Sequence, residues 1–224
     1  MKRSFLKFAA ICSAACMLML PGCGRDEVSS APAASSSVTS QAEDVEGIIG
    51  ENAFIITLYP NFAPITCQNF QNLVSSGFYD GLTFHRVVDN FMAQGGDPAG
   101  NGTGGSEKTI KGEFSANGVQ NNLSHQRGIV SMARSQSLDS ASSQFFICFN
   151  DVSYSLDGKY AAFGEVTEGM NVVDSFTTVE RKMNSMGETA IPIKPLVMQK
   201  VKMYDNDDKG NPRVMVIMKD FPLK

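Results

Sequence analysis

One permanent cation and one amide stand inside an apolar run of the sequence. Arg86 and Gln94 lie within FHRVVDNFMAQGGDP, residues 84–98, among Phe, Val and Met side chains. A guanidinium stays charged and carries rigid donors, so it could stabilise a polarised amide. The alternative is a surface cation whose aliphatic stem covers apolar neighbours.

Other catalytic chemistries find less support in the sequence. Residues 100–105 fit the pattern G-x-G-x-x-G, but the polar stretch that follows does not predict the helix that a nucleotide site needs. Neither a Gly-Lys-Ser/Thr segment nor a G-x-S-x-G elbow occurs. His85 and His125 are far apart and lack the paired spacing of metal ligands, so we expect no metal and no cofactor, and we interpret His85 as a packed strand residue.

The charge balance argues against a nucleic-acid partner. The 224 residues include 19 Lys and Arg against 23 Asp and Glu, which gives a net charge of −4. Without the first 22 residues the balance is 16 against 23, and no dense basic block follows residue 25. Hydrophobic residues make up 42% of the chain, which is enough to bury a core.

Short apolar runs separated by turn residues predict a mainly β fold. Helices are predicted at residues 64–77, where Pro64 fits the first turn and Gly77 the end, and at residues 169–179. The remaining apolar segments predict strands, which are AFIITLY, LTFHRVV, NFMAQGG, GIVSMAR, SQFFICF, KYAAFGEVTEG and PLVMQKVKMY. Many strands with two helices indicate a barrel or sandwich with helical caps.

Strand periodicity makes a specific prediction for the apolar run. On a regular strand Phe84, Arg86 and Val88 share one face and His85 points to the other. Met92 and Gln94 likewise share one face of the next strand.

An ordered set of motifs resembles the cyclophilin-type peptidyl-prolyl cis-trans isomerases. The motifs run from about residue 45 to 204 with compatible spacing, and they are FHRVVDNFMAQGGDP, NGTGG, GIVSMA, SQFFIC and LDGKYAAFGEVTEGMNVVD. The resemblance implies a closed eight-stranded antiparallel barrel capped by two helices, with the active groove on its outer surface. The strand and helix predictions made from the residues agree with that architecture.

The resemblance also assigns roles to individual residues. Arg86 is expected to donate a hydrogen bond to the nitrogen of a twisted proline amide, and Gln94 to bind the substrate backbone. The pocket for the proline ring is expected to consist of Phe91, Met92, Phe146 and Leu156. The groove for the preceding residues is expected to consist of Gly102, Ala133, the backbone of Arg134 and Gln144, with Tyr160 closing one side in place of a histidine.

The sequence departs from the pattern of many relatives in two places. Arg134 and Ser135 stand where many members have Asn and Ala, so an added cation borders the groove. Ser155 stands where some members have Trp or His, which removes an aromatic edge from the proline pocket.

The N-terminus predicts export and lipid attachment. Three bases precede 13 mostly apolar residues, and residues 20–23, Leu-Pro-Gly-Cys, resemble a bacterial lipobox in which Cys23 carries the lipid. Only 17 residues separate Lys7 from Arg25, fewer than the roughly 20 of a membrane-spanning helix. An ordinary secretory signal with a spare cysteine is the alternative.

The predicted domain organisation has four parts. Residues 1–22 form a lipoprotein signal peptide, 23–44 a flexible Ser/Ala-rich tether, 45–204 the isomerase domain, and 205–224 a C-terminal extension interpreted as an added hairpin. Cys67 and Cys148 could form a disulfide, but their apolar neighbours favour two buried thiols.

These observations predict a monomeric isomerase at the outer face of the cytoplasmic membrane. Its expected partners are the proline-containing segments of unfolded, exported polypeptides. One alternative is a binding module or holdase chaperone that grips such segments without turnover. Another is a structural surface lipoprotein whose site has decayed.

Overall fold

A computed structural model describes residues 46–222, so the predicted signal peptide, tether and Cys23 lie outside the described residues. Residues 46–222 contain ten strands, three α-helices and two 3₁₀ turns. In chain order they are β1 Ala53–Leu58, α1 Pro64–Ser75, β2 Thr83–Val88, β3 Met92–Gly95, a 3₁₀ turn Ser115–Asn117, β4 Ile129–Met132, β5 Phe145–Cys148, α2 Ser153–Leu156, β6 Ala162–Glu168, α3 Met170–Asp174, a 3₁₀ turn Ser175–Thr178, β7 Arg181–Met183, β8 Thr189–Pro192, β9 Leu196–Tyr204 and β10 Arg213–Met218.

Eight of the strands in residues 46–222 close into an antiparallel barrel. Their order around the barrel is β1-β10-β9-β2-β3-β5-β4-β6, and β7 pairs with β8 in a separate two-stranded sheet. The predicted closed eight-stranded antiparallel barrel is therefore confirmed. The β7–β8 hairpin was not predicted, because its strands have only three and four residues and β7 is mainly polar and exposed.

The barrel wall around β5 is apolar on both faces. Phe145 and Ile147 point into the main core inside the barrel. Phe146 and Cys148, which alternate with them, pack in a second apolar cluster on the outside. All four residues are buried, so the strand reads as a continuous apolar run instead of an alternating one.

The helices that were predicted from the sequence are present at both places. α1 has 12 residues, and Phe70 on its buried face packs against Tyr79, Phe145 and Phe163 with ring centroids 5.1–5.4 Å apart. α3 has five residues and continues into a 3₁₀ turn. Between residues 46 and 222 no helix combines the length and the apolar composition needed to cross a bilayer.

A buried carboxylate from a distant loop caps the start of α1. Pro64 occupies the first turn, and no side chain of the preceding residue caps the helix. Glu113, only 2% exposed, instead accepts hydrogen bonds from the N–H groups of Ile65 at 3.0 Å and Thr66 at 2.7 Å and from the Thr66 hydroxyl at 2.6 Å. A negative charge at this end also complements the helix dipole.

The C-terminal residues belong to the barrel, which corrects the domain boundary predicted at residue 204. β9 and β10 do pair as an antiparallel hairpin. β10 also pairs with β1, from Ala53 opposite Ile217 to Thr57 opposite Arg213, and thereby closes the barrel. The error arose because strand pairing over more than 150 residues leaves no local pattern in the sequence.

The two inner cysteines are free and buried. Cys67 on α1 lies in the interior core, whereas Cys148 on β5 lies in the outer cluster. Burial raises the pKa of each thiol to about 12, so both stay protonated and unreactive at neutral pH. The prediction of two buried thiols is confirmed.

Replacing Glu113 with Ala should destabilise the barrel by about 2–3 kcal/mol, because two buried N–H groups and a hydroxyl lose their acceptor. Urea denaturation of the purified domain would measure the loss. Glu113→Gln should lose less, since one oxygen remains. Glu107→Ala, at an exposed site nearby, should stay within about 0.5 kcal/mol of the parent. Equal stability of Glu113→Ala and Glu107→Ala would contradict the capping role.

Candidate functional site

A β-bulge in β2 aims Arg86 out of the barrel. Phe84 pairs with Gly95 and Arg86 pairs with Gln94, so β2 has one extra residue, His85, at this point. Phe84 consequently packs in the interior while Arg86 lies at the outer groove. The prediction that Phe84 and Arg86 share a face is therefore wrong, because a bulge interrupts the alternation on which it depended.

Two side chains hold the Arg86 guanidinium from different sides. Glu188 accepts hydrogen bonds from Nε at 2.9 Å and from Nη2 at 2.8 Å. Gln94 Oε1 accepts a bond from Nη1 at 3.3 Å. Phe91 lies beside the group, with its ring centroid 5.9 Å from Cζ. The side chain of Arg86 is 21% exposed, so the cation lies at the edge of the protein with fixed partners and not free in solvent.

Hydrogen bonds continue from Gln94 across the groove. Gln94 Nε2 donates to Gln144 Oε1 at 2.8 Å. Gln144 Nε2 in turn donates to the backbone oxygens of Gly102 at 3.1 Å and Gly104 at 2.7 Å. Since each amide uses its oxygen on one side and its nitrogen on the other, the bonds all run in the same direction, from Arg86 to the loop.

A cavity of about 300 Å³ opens directly beside the guanidinium, and we call it the apolar cavity because most of its lining residues are apolar or aromatic. Its floor belongs to the outer apolar cluster, so a small apolar ring could enter it and displace water. Its lining residues are Arg86, Phe91, Met92, Gln94, Ala133, Arg134, Phe146, Leu156 and Tyr160.

A second, polar cavity of about 210 Å³ adjoins the first. It shares Gln94, Ala133 and Arg134 with the apolar cavity, so the two form one continuous groove. Its lining residues are Gln94, Gly102, Thr103, Gly104, Ala133, Arg134, Ser135, Ser140, Ser142 and Gln144.

Asp97 shapes the glycine-rich loop that borders the polar cavity. Its buried carboxylate accepts the N–H groups of Ala99 at 2.8 Å, Asn101 at 3.0 Å and Gly102 at 2.6 Å. Burial pushes the pKa of Asp97 up, but these hydrogen bonds outweigh burial and hold the pKa below its ordinary value. A side chain at Gly104 would overlap the carboxylate, which explains the glycine there. The loop therefore supports the groove, and three of its N–H groups are already bonded to Asp97.

Arg134 borders both cavities, and Tyr160 packs beside it in the apolar one. The Arg134 guanidinium lies 4.8 Å from the Tyr160 ring centroid and 5.2 Å from that of Phe114, and its Nε donates to the Lys159 carbonyl oxygen at 3.0 Å. These contacts hold the added cation against the wall. Ser155 donates its hydroxyl proton within its own helical turn and does not appear among the described residues that line either cavity.

A Ser-His-Asp set lies behind the apolar cavity, yet it is not built for hydrolysis. His125 contacts Asp157 Oδ1 through Nδ1 at 2.7 Å and Ser131 Oγ through Nε2 at 2.9 Å. Ser131 is fully buried, so no substrate can reach its oxygen. The ring of His125 stacks on Phe146 with centroids 6.0 Å apart. The set therefore supports the cavity floor.

Burial lowers the pKa values of both histidines. Burial lowers the pKa of His125, and the Asp157 carboxylate opposes part of that shift. Burial lowers the pKa of His85 as well, with Asp97 opposing and Arg86 adding to the effect. Neither ring nitrogen of His85 has a hydrogen-bond partner among the described residues. Within residues 46–222, no three His, Cys, Asp or Glu side chains group as metal ligands.

The structure brings together every site residue of the barrel that the resemblance assigned. The nine that line the apolar cavity and the two that line only the polar cavity, Gly102 and Gln144, border one groove. Sequence reasoning missed Asp97 and Glu188. Glu188 lies 102 positions after Arg86, so no spacing rule connects them. The turn residues around Gly187 were the only local signal that a hairpin presents it.

Comparison with known proteins agrees with this geometry. A family model described as cyclophilin type peptidyl-prolyl cis-trans isomerase/CLD matches residues 45–203. The chain is 42% identical over 146 residues to the peptidyl-prolyl cis-trans isomerase-like 1 of Rhizopus delemar, which covers 65% of this chain and 86% of that protein. It is 40% identical over 156 residues to a peptidyl-prolyl cis-trans isomerase of Acinetobacter baylyi, covering 66% and 78%.

A solved structure resembles the chain as well. It is the crystal structure of a Cryptosporidium parvum cyclophilin type peptidyl-prolyl cis-trans isomerase in the presence of the dipeptide Ala-Pro. The TM-score is 0.55 at 26% sequence identity, and the match covers 77% of this chain and 98% of that one.

The free energy of unfolding should fall as the pH drops below about 6.5, because the unfolded chain protonates its two histidines before the folded protein does. The pKa values of His85 and His125 are both lowered in the folded protein, so stability begins to fall when the pH drops below the pKa of an unfolded histidine. Each histidine contributes a loss of at most about 1.4 kcal/mol for each pH unit. Urea denaturation between pH 7.5 and 5.5 measures the slope. His85→Phe, which cannot titrate, should roughly halve it. An unchanged slope in that variant would assign the effect to other groups.

Proposed function

Because the chain belongs to the cyclophilin-type peptidyl-prolyl cis-trans isomerase family and is an isomerase of that type, we propose that Arg86 is its catalytic residue. We also propose that the protein accelerates the folding of exported proteins at the outer face of the cytoplasmic membrane. The observation that carries the catalytic assignment is the guanidinium fixed at the edge of an apolar cavity. Its substrates are proline-containing peptide segments.

The reaction demands little chemistry but a well-placed donor. Rotation about an X–Pro bond crosses a barrier near 20 kcal/mol and takes tens of seconds without a catalyst. No covalent bond breaks, so the enzyme has to bind the twisted amide better than either planar isomer. In the twisted amide the proline nitrogen regains its lone pair and becomes a hydrogen-bond acceptor. A rigid cationic donor aimed at that nitrogen lowers the barrier.

The contacts of Arg86 suit this role. Glu188 occupies Nε and one proton of Nη2, and Gln94 Oε1 accepts one proton of Nη1. Nη1 also lies 3.9 Å from Met92 Sδ, which lines the apolar cavity. One proton on each of Nη1 and Nη2 therefore remains for a substrate nitrogen in that cavity. An apolar wall strengthens a hydrogen bond formed there, because it excludes competing water. One preorganised donor of this kind contributes roughly 3–4 kcal/mol, which is a hundredfold or more in rate.

The apolar cavity suits the proline ring. Met92, Phe146 and Leu156 are buried in the outer cluster and offer carbon and sulfur surface without unpaired polar groups. Phe91 and Tyr160 complete the wall from the rim. The similar Cryptosporidium isomerase was crystallised in the presence of Ala-Pro, which supports a proline-containing substrate here.

The polar cavity suits the residues that precede proline. Gln94 and Arg134 border both cavities. The Gln94 side chain and the Arg134 backbone would bind the substrate backbone where it passes from one cavity to the other. Gln144, with its two bonds to the glycine-rich loop, keeps that side of the groove in place.

The cellular location is proposed from the N-terminal sequence. A basic start, an apolar stretch of 13 residues and the Leu-Pro-Gly-Cys segment at residues 20–23 favour export with a lipid on Cys23. The Ser- and Ala-rich residues that follow would hold the barrel away from the bilayer as a flexible tether.

Arg86→Ala should lower kcat/KM by about a hundredfold or more while peptide affinity changes little, because the lost bond exists mainly in the transition state. A protease-coupled assay on a Xaa-Pro peptide measures turnover, and NMR titration measures binding. Arg127→Ala removes an arginine that is paired with Asp174 outside the groove, and it should behave like the parent. Binding without turnover in the unmodified protein would instead support a holdase.

Cys23→Ser should release the protein from bacterial membranes, because the lipid has no other attachment site in the proposed signal. Fractionation of cells that express the full chain, with mass spectrometry of the mature N-terminus, tests it. Cys16→Ser, inside the apolar stretch that is removed with the signal, should remain in the membrane fraction. An unchanged distribution of Cys23→Ser would rule out the lipid anchor.

A further inference from the structure

The β7–β8 hairpin brings a carboxylate to the guanidinium of Arg86. Both oxygens of Glu188 are used, Oε2 with Nε at 2.9 Å and Oε1 with Nη2 at 2.8 Å. This bidentate geometry defines the plane and the rotation of the guanidinium, which a single hydrogen bond would leave free.

Glu188 is itself fixed by the turn of the hairpin. Asn184 Nδ2 donates to Glu188 Oε2 at 2.8 Å. Asn184 Oδ1 accepts the N–H groups of Met186 and Glu188, each at 2.9 Å. The hydrogen bonds from Arg86 lower the pKa of Glu188, although partial burial acts against them, so the carboxylate is ionised at neutral pH. The hairpin therefore presents a charged, preorganised acceptor.

The neighbours of Arg86 bind different parts of its guanidinium. Glu188 takes the Nε–Nη2 edge, and Gln94 Oε1 contacts Nη1 at 3.3 Å from the other side. Phe91 lies against the group at 5.9 Å from its ring centroid. With three neighbours in place, the long side chain loses its rotamer freedom before substrate arrives and not in the transition state.

We propose that Glu188 is a positioning residue, which orients Arg86 for isomerisation through the bidentate pair and does not touch the substrate. The proposal rests on the catalytic role of Arg86 proposed above. A carboxylate so close also offsets part of the positive charge, which by itself would weaken the donor. Whether turnover falls or rises in a Glu188 variant decides between orientation of Arg86 and neutralisation of its charge. We expect orientation to dominate, because the Arg86–Glu188 pair is bidentate and only partly exposed.

The first test measures turnover by NMR exchange spectroscopy on a Xaa-Pro peptide. Glu188→Ala should lower kcat/KM about tenfold through kcat, while peptide affinity stays within about twofold, because a misoriented donor impairs the transition state more than binding. Glu188→Gln, which keeps one acceptor oxygen, should lose about threefold. Glu180→Ala removes an exposed acid just before the same hairpin and should match the parent.

The second test asks whether Glu188 acts through Arg86. In an Arg86→Ala background, assayed at higher enzyme concentration, adding Glu188→Ala should change turnover by less than about twofold. The ¹⁵N–¹H signal of Arg86 Nε, assigned by its loss in Arg86→Ala, should shift and broaden in Glu188→Ala and stay in place in Glu180→Ala.

The outcomes separate the two proposals. If the unmodified protein has no turnover, the proposed function fails. If turnover depends on Arg86 but Glu188→Ala equals or exceeds the parent, the positioning role is overturned and the catalytic role of Arg86 stands. The positioning role is also overturned if Glu188→Ala keeps its full effect in the Arg86→Ala background, since Glu188 would then act independently.

Discussion

The wall formed by β2, β3 and β5 has to exclude water on both of its faces, and the rest of the structure follows from that constraint. Its inner face fills the barrel, whereas its outer face is the floor of the apolar cavity. A strand of this wall cannot shift its pairing by one residue, because its inward-facing and outward-facing side chains would then exchange faces. The bulge at His85 is the place where β2 leaves this regular pattern, and it delivers Arg86 to the rim of the cavity.

A cation at the edge of an apolar cavity needs partners, because an unpaired charge there would lose hydration without compensation. The partners of Arg86 come from separate parts of the chain, Glu188 from the hairpin and Gln94 from β3. Through Gln144 the same hydrogen bonds reach the glycine-rich loop. The hairpin, the barrel wall and the loop are thus joined through Arg86, which donates to Glu188 on one side and to Gln94 on the other. From Arg86 to the loop the bonds run in one direction, so each bond polarises the next.

The groove also depends on polar groups that never contact its contents. Asp97 organises the glycine-rich loop with three backbone N–H groups, and His125 backs the ring of Phe146 while Asp157 and Ser131 satisfy its nitrogens. Buried polar groups with complete hydrogen bonding make their surroundings rigid. The groove therefore has firm supports on both the loop side and the cavity floor.

The sequence by itself determined a mainly β fold and helix α1, because apolar runs and Pro64 are local features. The closed barrel and the residues that border the groove followed from the resemblance of its ordered motifs to a known family. Three features were decided only by tertiary structure: the bulge at His85, the closure of the barrel by β10 and the pairing of Arg86 with Glu188. Each of them joins residues that are distant in the chain or adds one residue to a strand register. Such pairings depend on which strands become neighbours when the barrel closes, and no short-range spacing encodes that.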